Sequence, residues 1–236
     1  MIITYIDHSG FLVETADCYY IFDYFKGILP PLQPEKPVLV FSSHGHHDHY
    51  APEVFDLLTA RGMQCITAVL SDDISPEQLP KSTGHLSIIS VAPHRSYDLP
   101  GGTTVHTLRS TDEGVAFLLQ CPEGTLYHAG DLNDWVWAEE TETYNLSMTE
   151  NYRREIDRLN RLCRDSLHNA PIDAAFLPLD PRQEEDYANG IRYFLESIPV
   201  SRVYPMHFWD QPEVIDRFLR DYPQFTRLIH KCSALQ

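Results

Sequence analysis

Short apolar runs with a two-residue period dominate the first half of the chain. Ile2 to Ile6, Phe11 to Thr15 and Tyr19 to Phe22 are β-rich and are split by His8-Ser9-Gly10 and Ala16-Asp17, which predicts antiparallel strands joined by tight turns. The proline-rich passage Leu29-Pro30-Pro31-Leu32-Gln33-Pro34 cannot occupy a central strand and reads as an ordered loop. It leads into the continuously apolar run Val38 to Ser42, expected to be a buried strand. Pro52 can open a helix with Val54, Phe55, Leu57 and Leu58 on its apolar face and Gly62 at its end. Gln64 to Leu70 returns as a strand, and the polar stretch Ser71 to Thr83 reads as a surface connection. Four further β runs follow, His85 to Val91, Thr103 to Arg109, Val115 to Gln120 and Thr125 to His128, with Gly101-Gly102 and Pro122-Glu123-Gly124 as turns.

The period then lengthens. Tyr152, Ile156, Leu159, Leu162 and Leu167 recur at helical spacing behind the capping box Ser147-Met148-Thr149-Glu150, so one long helix is expected to start there. Asp173 to Pro178 reads as a strand, Gln183 to Ser197 as a helix, and Val200 to Pro205 as a strand. A helix from Pro212 to Asp221 and a short strand from Arg227 to His230 complete the pattern. Strands first, then alternating strands and helices, predict an α/β fold of two sheets flanked by helices. No repeat, low-complexity segment or linker divides the chain, and 236 residues suit one domain spanning 1–236.

Directly after Val38-Leu39-Val40-Phe41, the run Ser43-His44-Gly45-His46-His47-Asp48-His49-Tyr50 concentrates four histidines and a carboxylate in six positions. Imidazole and carboxylate are the side chains that hold borderline and hard divalent cations. On extended backbone His44 and His46 face one side, and Asp48 and His49 follow once the chain has turned, towards a second point. The tract is internal and follows a strand, unlike a terminal tag.

The order His-x-His-x-Asp-His resembles the signature of the metallo-β-lactamase superfamily, and with it the resemblance extends over nearly the whole chain. It implies a four-layer αβ/βα sandwich with one or two metal ions at the rim between its sheets, and further ligands downstream. The bridging aspartate of that pattern corresponds to Asp131 in Leu126-Tyr127-His128-Ala129-Gly130-Asp131, and the last histidine to His207 in Val203-Tyr204-Pro205-Met206-His207. The third histidine is missing: no histidine stands beside Gly114. Asp112 takes its place, with Glu113 and Thr111 as neighbouring rivals. The resemblance thus implies one metal on His44, His46 and Asp112, a second on Asp48, His49 and His207, and Asp131 between them. A carboxylate in place of an imidazole moves the preference from zinc towards manganese or iron. His8, His47, His85, His94, His168 and His230 have no place in this pattern, although His8, at a first-hairpin turn, can reach the site rim. His128 is expected to be a buried core histidine.

Net charge narrows the substrates. Lys and Arg total 18 against 34 Asp and Glu, a net charge of −16 that opposes binding to nucleic acid or an anionic membrane. The five cysteines, Cys18, Cys65, Cys121, Cys163 and Cys232, form no Cys-x-x-Cys pair and read as reduced core residues. Met1 leads straight into Ile2-Ile3-Thr4-Tyr5 with no basic leader, and no apolar stretch approaches the ~20 residues of a membrane span, so a cytoplasmic enzyme is expected. Nothing in the chain specifies its oligomeric state.

Two divalent ions ~3.5–4 Å apart can activate a hydroxide for attack on a carbonyl or phosphoryl centre. The expected activity is metal-dependent hydrolysis, with Asp48 accepting a proton and Asp131 bridging. Trp135 and Trp209 are candidate walls of an aromatic mouth, with Asn133, Asp134, Trp137 and Phe208 beside them; Arg182, and less so Arg109, can clamp a carboxylate or phosphate. A small anionic ester, lactone or phosphodiester is the expected substrate. Within the superfamily the opening Thr4-Tyr5-Ile6-Asp7-His8-Ser9-Gly10-Phe11 and the Leu179-Asp180-Pro181-Arg182 segment look most like the branch that includes ascorbate-6-phosphate lactonases. An iron-dependent oxygenase on the same fold, a nuclease and a non-catalytic metal-binding protein are the alternatives.

Overall fold

A computed structural model describes residues 1–80 and 85–231. Among these residues the first sheet runs in chain order: β1 (Ile2–Asp7), β2 (Gly10–Glu14), β3 (Tyr19–Phe22), β4 (Val38–Ser42), β5 (Ile66–Ser71) and β6 (Leu86–Val91). Its first ladders are antiparallel hairpins, and from β3 to β6 the strands pair in parallel. Helix α1 (Glu53–Ala60) makes the crossover from β4 to β5. The second sheet holds β7 (Ser96–Leu99), β8 (Thr103–Arg109), β9 (Val115–Cys121), β10 (Gly124–His128), β11 (Ala174–Pro178) and β12 (Val203–Met206), ordered β12-β11-β10-β9-β8-β7. Helices α2 (Glu142–Leu167), α3 (Asn189–Ser197) and α4 (Glu213–Asp221) follow β10, β11 and β12 in the chain, α2 packing against β8 and α3 against β11.

The two-residue period sorts the strands into layers. In β3 and β4, Tyr20, Phe22, Leu39 and Phe41 point into the core shared by the sheets, while Tyr19, Ile21, Val38 and Val40 pack with Val54, Phe55 and Leu58 of α1. Aromatic rings close the inter-sheet seam: Phe41 meets Phe117 at 5.3 Å and Phe11 meets Phe176 at 4.4 Å between ring centres. On the far side of the second sheet Tyr127 stacks on Phe194 of α3 at 5.2 Å. Helix, sheet, sheet and helices form the expected four-layer αβ/βα sandwich. No helix among the described residues is long and apolar enough to cross a membrane.

Several boundaries differ from the sequence reading. Helix α2 begins before Ser147: Thr141 caps it, its Oγ1 accepting from Tyr144 N–H at 3.2 Å. The additional turns are anchored by Asn145, whose side-chain amide bonds both N–H and C=O of Trp137. Regular helix α3 starts at Asn189 and not at Gln183, because Gln183 is used as a brace. Its Nε2 donates to Asp134 O at 2.7 Å, its Oε1 accepts from Asn133 Nδ2 at 3.0 Å, and Glu184 at φ 52° interrupts the turn. Arg227 to His230 contributes only an isolated bridge, Val203 to Ile229, and the short strand β7 was not foreseen. Cys18 and Cys163 are buried, but Cys65 is exposed, so it is not a core residue; Cys232 lies outside the described residues. The polar connection after β5, of which residues 81–83 lie outside the described residues, is more than surface filler. Gln78 Nε2 donates to Gly45 O at 2.8 Å and Asp73 accepts from Gly45 N–H at 3.1 Å, so it braces the histidine loop.

The sheets are locked at Ser43, where the chain leaves β4. Val115 N–H donates to Ser43 O at 2.9 Å, and Gly114, at φ 70°, lies so close that a Cβ there would stand 1.9 Å from the same oxygen. Gly114→Ala adds both a clash and a disfavoured backbone conformation. It should lower unfolding free energy by about 2–4 kcal/mol in denaturant titration of the metal-free protein.

Candidate metal centre

Ser43 also turns the chain towards a carboxylate. Its N–H and its Oγ–H each donate to Asp23 at 2.7 Å, and Asp23 is fully buried just beyond β3. His49 Nδ1–H donates to Asp23 Oδ2 at 2.8 Å, and His44 Nδ1–H donates to Ser43 Oγ at 3.0 Å. One carboxylate therefore orients two imidazoles, directly and through a hydroxyl, and leaves Nε2 of each as an inward lone pair. Between them the carbonyl of His46 accepts from the N–H groups of His49 and Tyr50 at 3.1 and 3.0 Å, a tight turn that reverses the loop.

The second sheet supplies the opposing donors. Gly130, at φ 52°, brings the end of β10 against Ser43, and Asp131 follows with its carbonyl accepting from Trp135 Nε1–H at 2.8 Å. His207 follows β12, and its Nδ1–H donates to buried Asp180 Oδ2 at 3.0 Å. Asp180 is gripped in turn by Nε and Nη2 of Arg182.

Two donor groups result. His44, His46 and Asp131 form one, and His8, Asp48, His49 and His207 the other, with the ligand atoms in each group within 4.8 Å of one another. Asp131 reaches both: Oδ2 lies 3.5 Å from His44 Nε2, while Oδ1 lies 3.2 Å from His49 Nε2 and 3.4 Å from His207 Nε2. Donors sharing an ion at about 2.0–2.2 Å stand roughly 3.3–3.6 Å apart at a tetrahedral angle. That is wider than the ~2.7–2.9 Å of a charge-assisted hydrogen bond. His8 Nε2, His44 Nε2, His49 Nε2 and Asp131 Oδ1 are buried without a hydrogen-bond partner among the described residues. Clustered buried lone pairs are costly unless a cation completes them, so the residues fit one or two divalent ions.

The electrostatics agree with that fit. Burial, reinforced by the carboxylates of Asp112, Asp23 and Asp48 and opposed by His207, pushes Asp131 up to about 7. Burial and the neighbouring imidazoles push His8 and His44 down to about 2, which keeps them neutral. Burial would lower His207 too, but Asp131 and Asp180 outweigh it and raise its pKa.

The candidates for the missing third histidine separate. Thr111 spends its hydroxyl on the loop, donating to Asn133 O at 2.6 Å and accepting from Asn133 N–H at 3.0 Å. Asp112 lines the cavity over the donors but belongs to neither donor group, whereas Glu113 Oε2 stands 3.3 Å from His46 Nε2. Trp135, Arg182 and Trp209 all line the same cavity, about 420 Å³, together with Asp48, Asp131 and His207. The Arg182 guanidinium lies 4.7 Å from the Trp209 ring centre and 5.8 Å from that of Trp137. Exposed Arg109 does not line it, and Asn133 and Asp134 are occupied in holding their own loop. His128 is a core histidine, donating to Ser9 O and accepting from Gly130 N–H. His8 departs from the expectation of an unplaced histidine. It is buried against His207 and Trp209, at 4.2 and 4.4 Å between ring centres. Asp23 and Asp180 escaped sequence reading because a single aspartate after a strand carries no signal of the histidine it will meet.

Comparison with known proteins gives the same architecture. The model of the family described as "Beta-lactamase superfamily domain" matches residues 2–144. A protein of Pyrobaculum calidifontis named UPF0173 metal-dependent hydrolase is 29% identical over an alignment of 144 positions that covers 56% of this chain and 61% of that protein. The metallo-beta-lactamase fold protein YhfI of Bacillus subtilis superposes with a TM-score of 0.64 at 15% identity, covering 97% of this chain and 90% of its own. CmlA, a diiron beta-hydroxylase from Streptomyces venezuelae, does so with a TM-score of 0.58 at 11% identity, covering 99% of this chain and 52% of its own.

Asp23→Asn weakens the acceptor behind His49 and Ser43 and should lower metal affinity about 10- to 100-fold in calorimetric titration. In the metal-free protein Asp131 holds a proton below about pH 7 that an incoming ion must displace. The metal dissociation constant should therefore rise as pH falls below that value, by at least about tenfold per unit, because His207, whose pKa is also raised, must give up a proton to the ion as well.

Proposed function

We propose a function from one premise: the chain belongs to the beta-lactamase superfamily. On that premise the protein is a metal-dependent hydrolase acting on a small anionic ester, lactone or phosphodiester. The observation that carries this reading is Asp131, buried with one oxygen towards each of two donor groups in which His8, His44 and His49 keep a buried Nε2 without a hydrogen-bond partner among the described residues. The name of the Pyrobaculum relative supports it; the match spans less than two thirds of that relative's length.

Zinc, manganese or iron would be held by His44, His46 and Asp131 at the first position, with Asp112 or Glu113 as its further carboxylate. Asp48, His49 and His207 would hold a second ion, with Asp131 between. Such ions supply Lewis acidity and acidify water at neutral pH. The remaining tasks fall to the chain. Asp48, lining the cavity at 14% side-chain exposure, is placed to accept a proton from the attacking water and release it towards solvent. Arg182, held by Asp180 and flanked by Trp137 and Trp209, offers a fixed cation for the substrate's anionic group. Trp135 and Trp209 wall the cavity and limit water around that group. The Arg182 cation on an otherwise acidic chain favours a small anion over nucleic acid, and the lactonase-like branch is the substrate class to try first.

A second reading, an iron-dependent oxygenase, draws on two observations. Asp112 over the cavity and Glu113 beside His46 would add oxygen donors to the first position, which suits iron, and the fold superposes on a diiron beta-hydroxylase.

The deciding assay loads the metal-free protein with zinc, manganese or iron and measures turnover of ester, lactone and phosphodiester panels beside oxygen consumption. Hydrolysis should appear and fall about a hundredfold or more in Asp131→Asn and Asp48→Ala. Oxygen uptake without hydrolysis would replace this reading by the second. Arg182→Ala should raise KM about 10- to 100-fold with little change in kcat, and an unchanged KM would remove Arg182 from substrate binding.

A further inference from the structure

We propose that His8 is itself a metal ligand, closing the second position together with Asp48, His49 and His207, so that this position binds a borderline divalent ion more tightly than the first. The proposal rests on the reading of the centre as a metal site. It adds a ligand that the His-x-His-x-Asp-His pattern does not contain and places it on the first hairpin of the chain.

Geometry supplies the first argument. A ring nitrogen of His8 lies with the ligand atoms of Asp48, His49 and His207 inside the 4.8 Å cluster, and its Nε2 stands 3.6 Å from Asp48 Oδ2. That separation suits two donors on one ion and exceeds a hydrogen bond.

A second argument comes from comparing two histidines of this protein. His128, fully buried, satisfies both ring nitrogens, through Ser9 O and Gly130 N–H. His8 is 2% exposed and has no hydrogen-bond partner for either nitrogen among the described residues. A histidine serving only to fill space would leave two buried polar atoms uncompensated, which is costly. An ion compensates one of them.

The backbone is shaped to hold the ring there. His8 sits at φ 50°, in the left-handed region, beside a shift in the β1–β2 register between Tyr5 and Asp7. Its carbonyl accepts from the N–H of His207, so this turn and the His207 loop are tied in both main chain and side chain.

The donor sets also differ in kind. The second position would have three imidazoles and a carboxylate from protein, with Asp131 beside them; the first has His44, His46 and Asp131, and His46 is half exposed. A closed cluster of four protein ligands holds an ion firmly, whereas the first position, whose further carboxylate would come from exposed Asp112 or Glu113 outside its cluster, holds one less tightly and leaves access for water or substrate. The first position then becomes the exchangeable and substrate-facing one.

The test uses cobalt(II) added to the metal-free full chain, comparing wild type with His8→Phe, which keeps a ring against His207 and Trp209, and His8→Asn, which tolerates the left-handed backbone. Circular dichroism of the metal-free proteins selects the variants that fold. Dissociation constants come from chelator competition, and coordinated imidazoles are counted from hyperfine-shifted N–H resonances. Wild type should bind two equivalents of unequal affinity. Either folded variant should lose one shifted imidazole and weaken the tighter equivalent about 10- to 100-fold, leaving the weaker one unchanged, while His46→Ala should weaken the other equivalent. A folded variant with the wild-type imidazole count and both wild-type affinities overturns the proposal while leaving the metal centre standing. Failure of wild type to bind cobalt sinks both.

Discussion

Asp131 is a carboxylate held in the interior between two clusters of imidazoles, of which His8, His44 and His49 keep a buried Nε2 with no hydrogen-bond partner among the described residues. Removing such a group from water costs several kcal/mol unless opposite charge is placed against it, and no cationic side chain among the described ion pairs of Asp131 is other than histidine. The centre is therefore built for a cation that the chain does not itself provide. The surrounding architecture serves to keep these donors dry and convergent.

That convergence depends on a contact between sheets. Ser43, at the end of β4, receives Val115 N–H and the close approach of Gly114 and Gly130, and it passes two hydrogen bonds to Asp23. The residue that locks the sheets thus also orients His44 and, through Asp23, shares its anchor with His49. A parallel arrangement stands behind His207, where Asp180 binds both the imidazole and Arg182. His207, a proposed metal donor, and Arg182, the proposed substrate cation, are thus fixed by the same buried carboxylate, which on the proposed function would link metal affinity to substrate position.

How much of this was legible depended on distance along the chain. The ligand-rich run from His44 to His49 is local, and a strand followed by a turn is enough to send its side chains to two points; both donor groups draw on it. Most of the strands and the layering of two sheets flanked by helices were legible because alternating apolar residues report the faces of a sheet directly. Helix starts were less so: the capping box at Ser147 was a valid local signal, but Asn145 gained more by bonding Trp137 and carried the helix back to Thr141. Gln183 left its helix for the same kind of reason, a brace to a loop some fifty residues away. The open choice at the missing third histidine also narrowed through tertiary contact, when Thr111 turned its hydroxyl to Asn133 and Glu113 reached His46.

By itself, then, the sequence determined the α/β layering, the ligand chemistry and the segments that bring it, because periodicity and residue type are local properties that act before the chain has folded. Only the tertiary structure decided which donors share a point. His8, Asp23 and Asp180 are ordinary residues at strand ends until the sheets close. Their roles arise from contacts with His207, His49 and Arg182 and from loss of solvent, which no stretch of sequence contains.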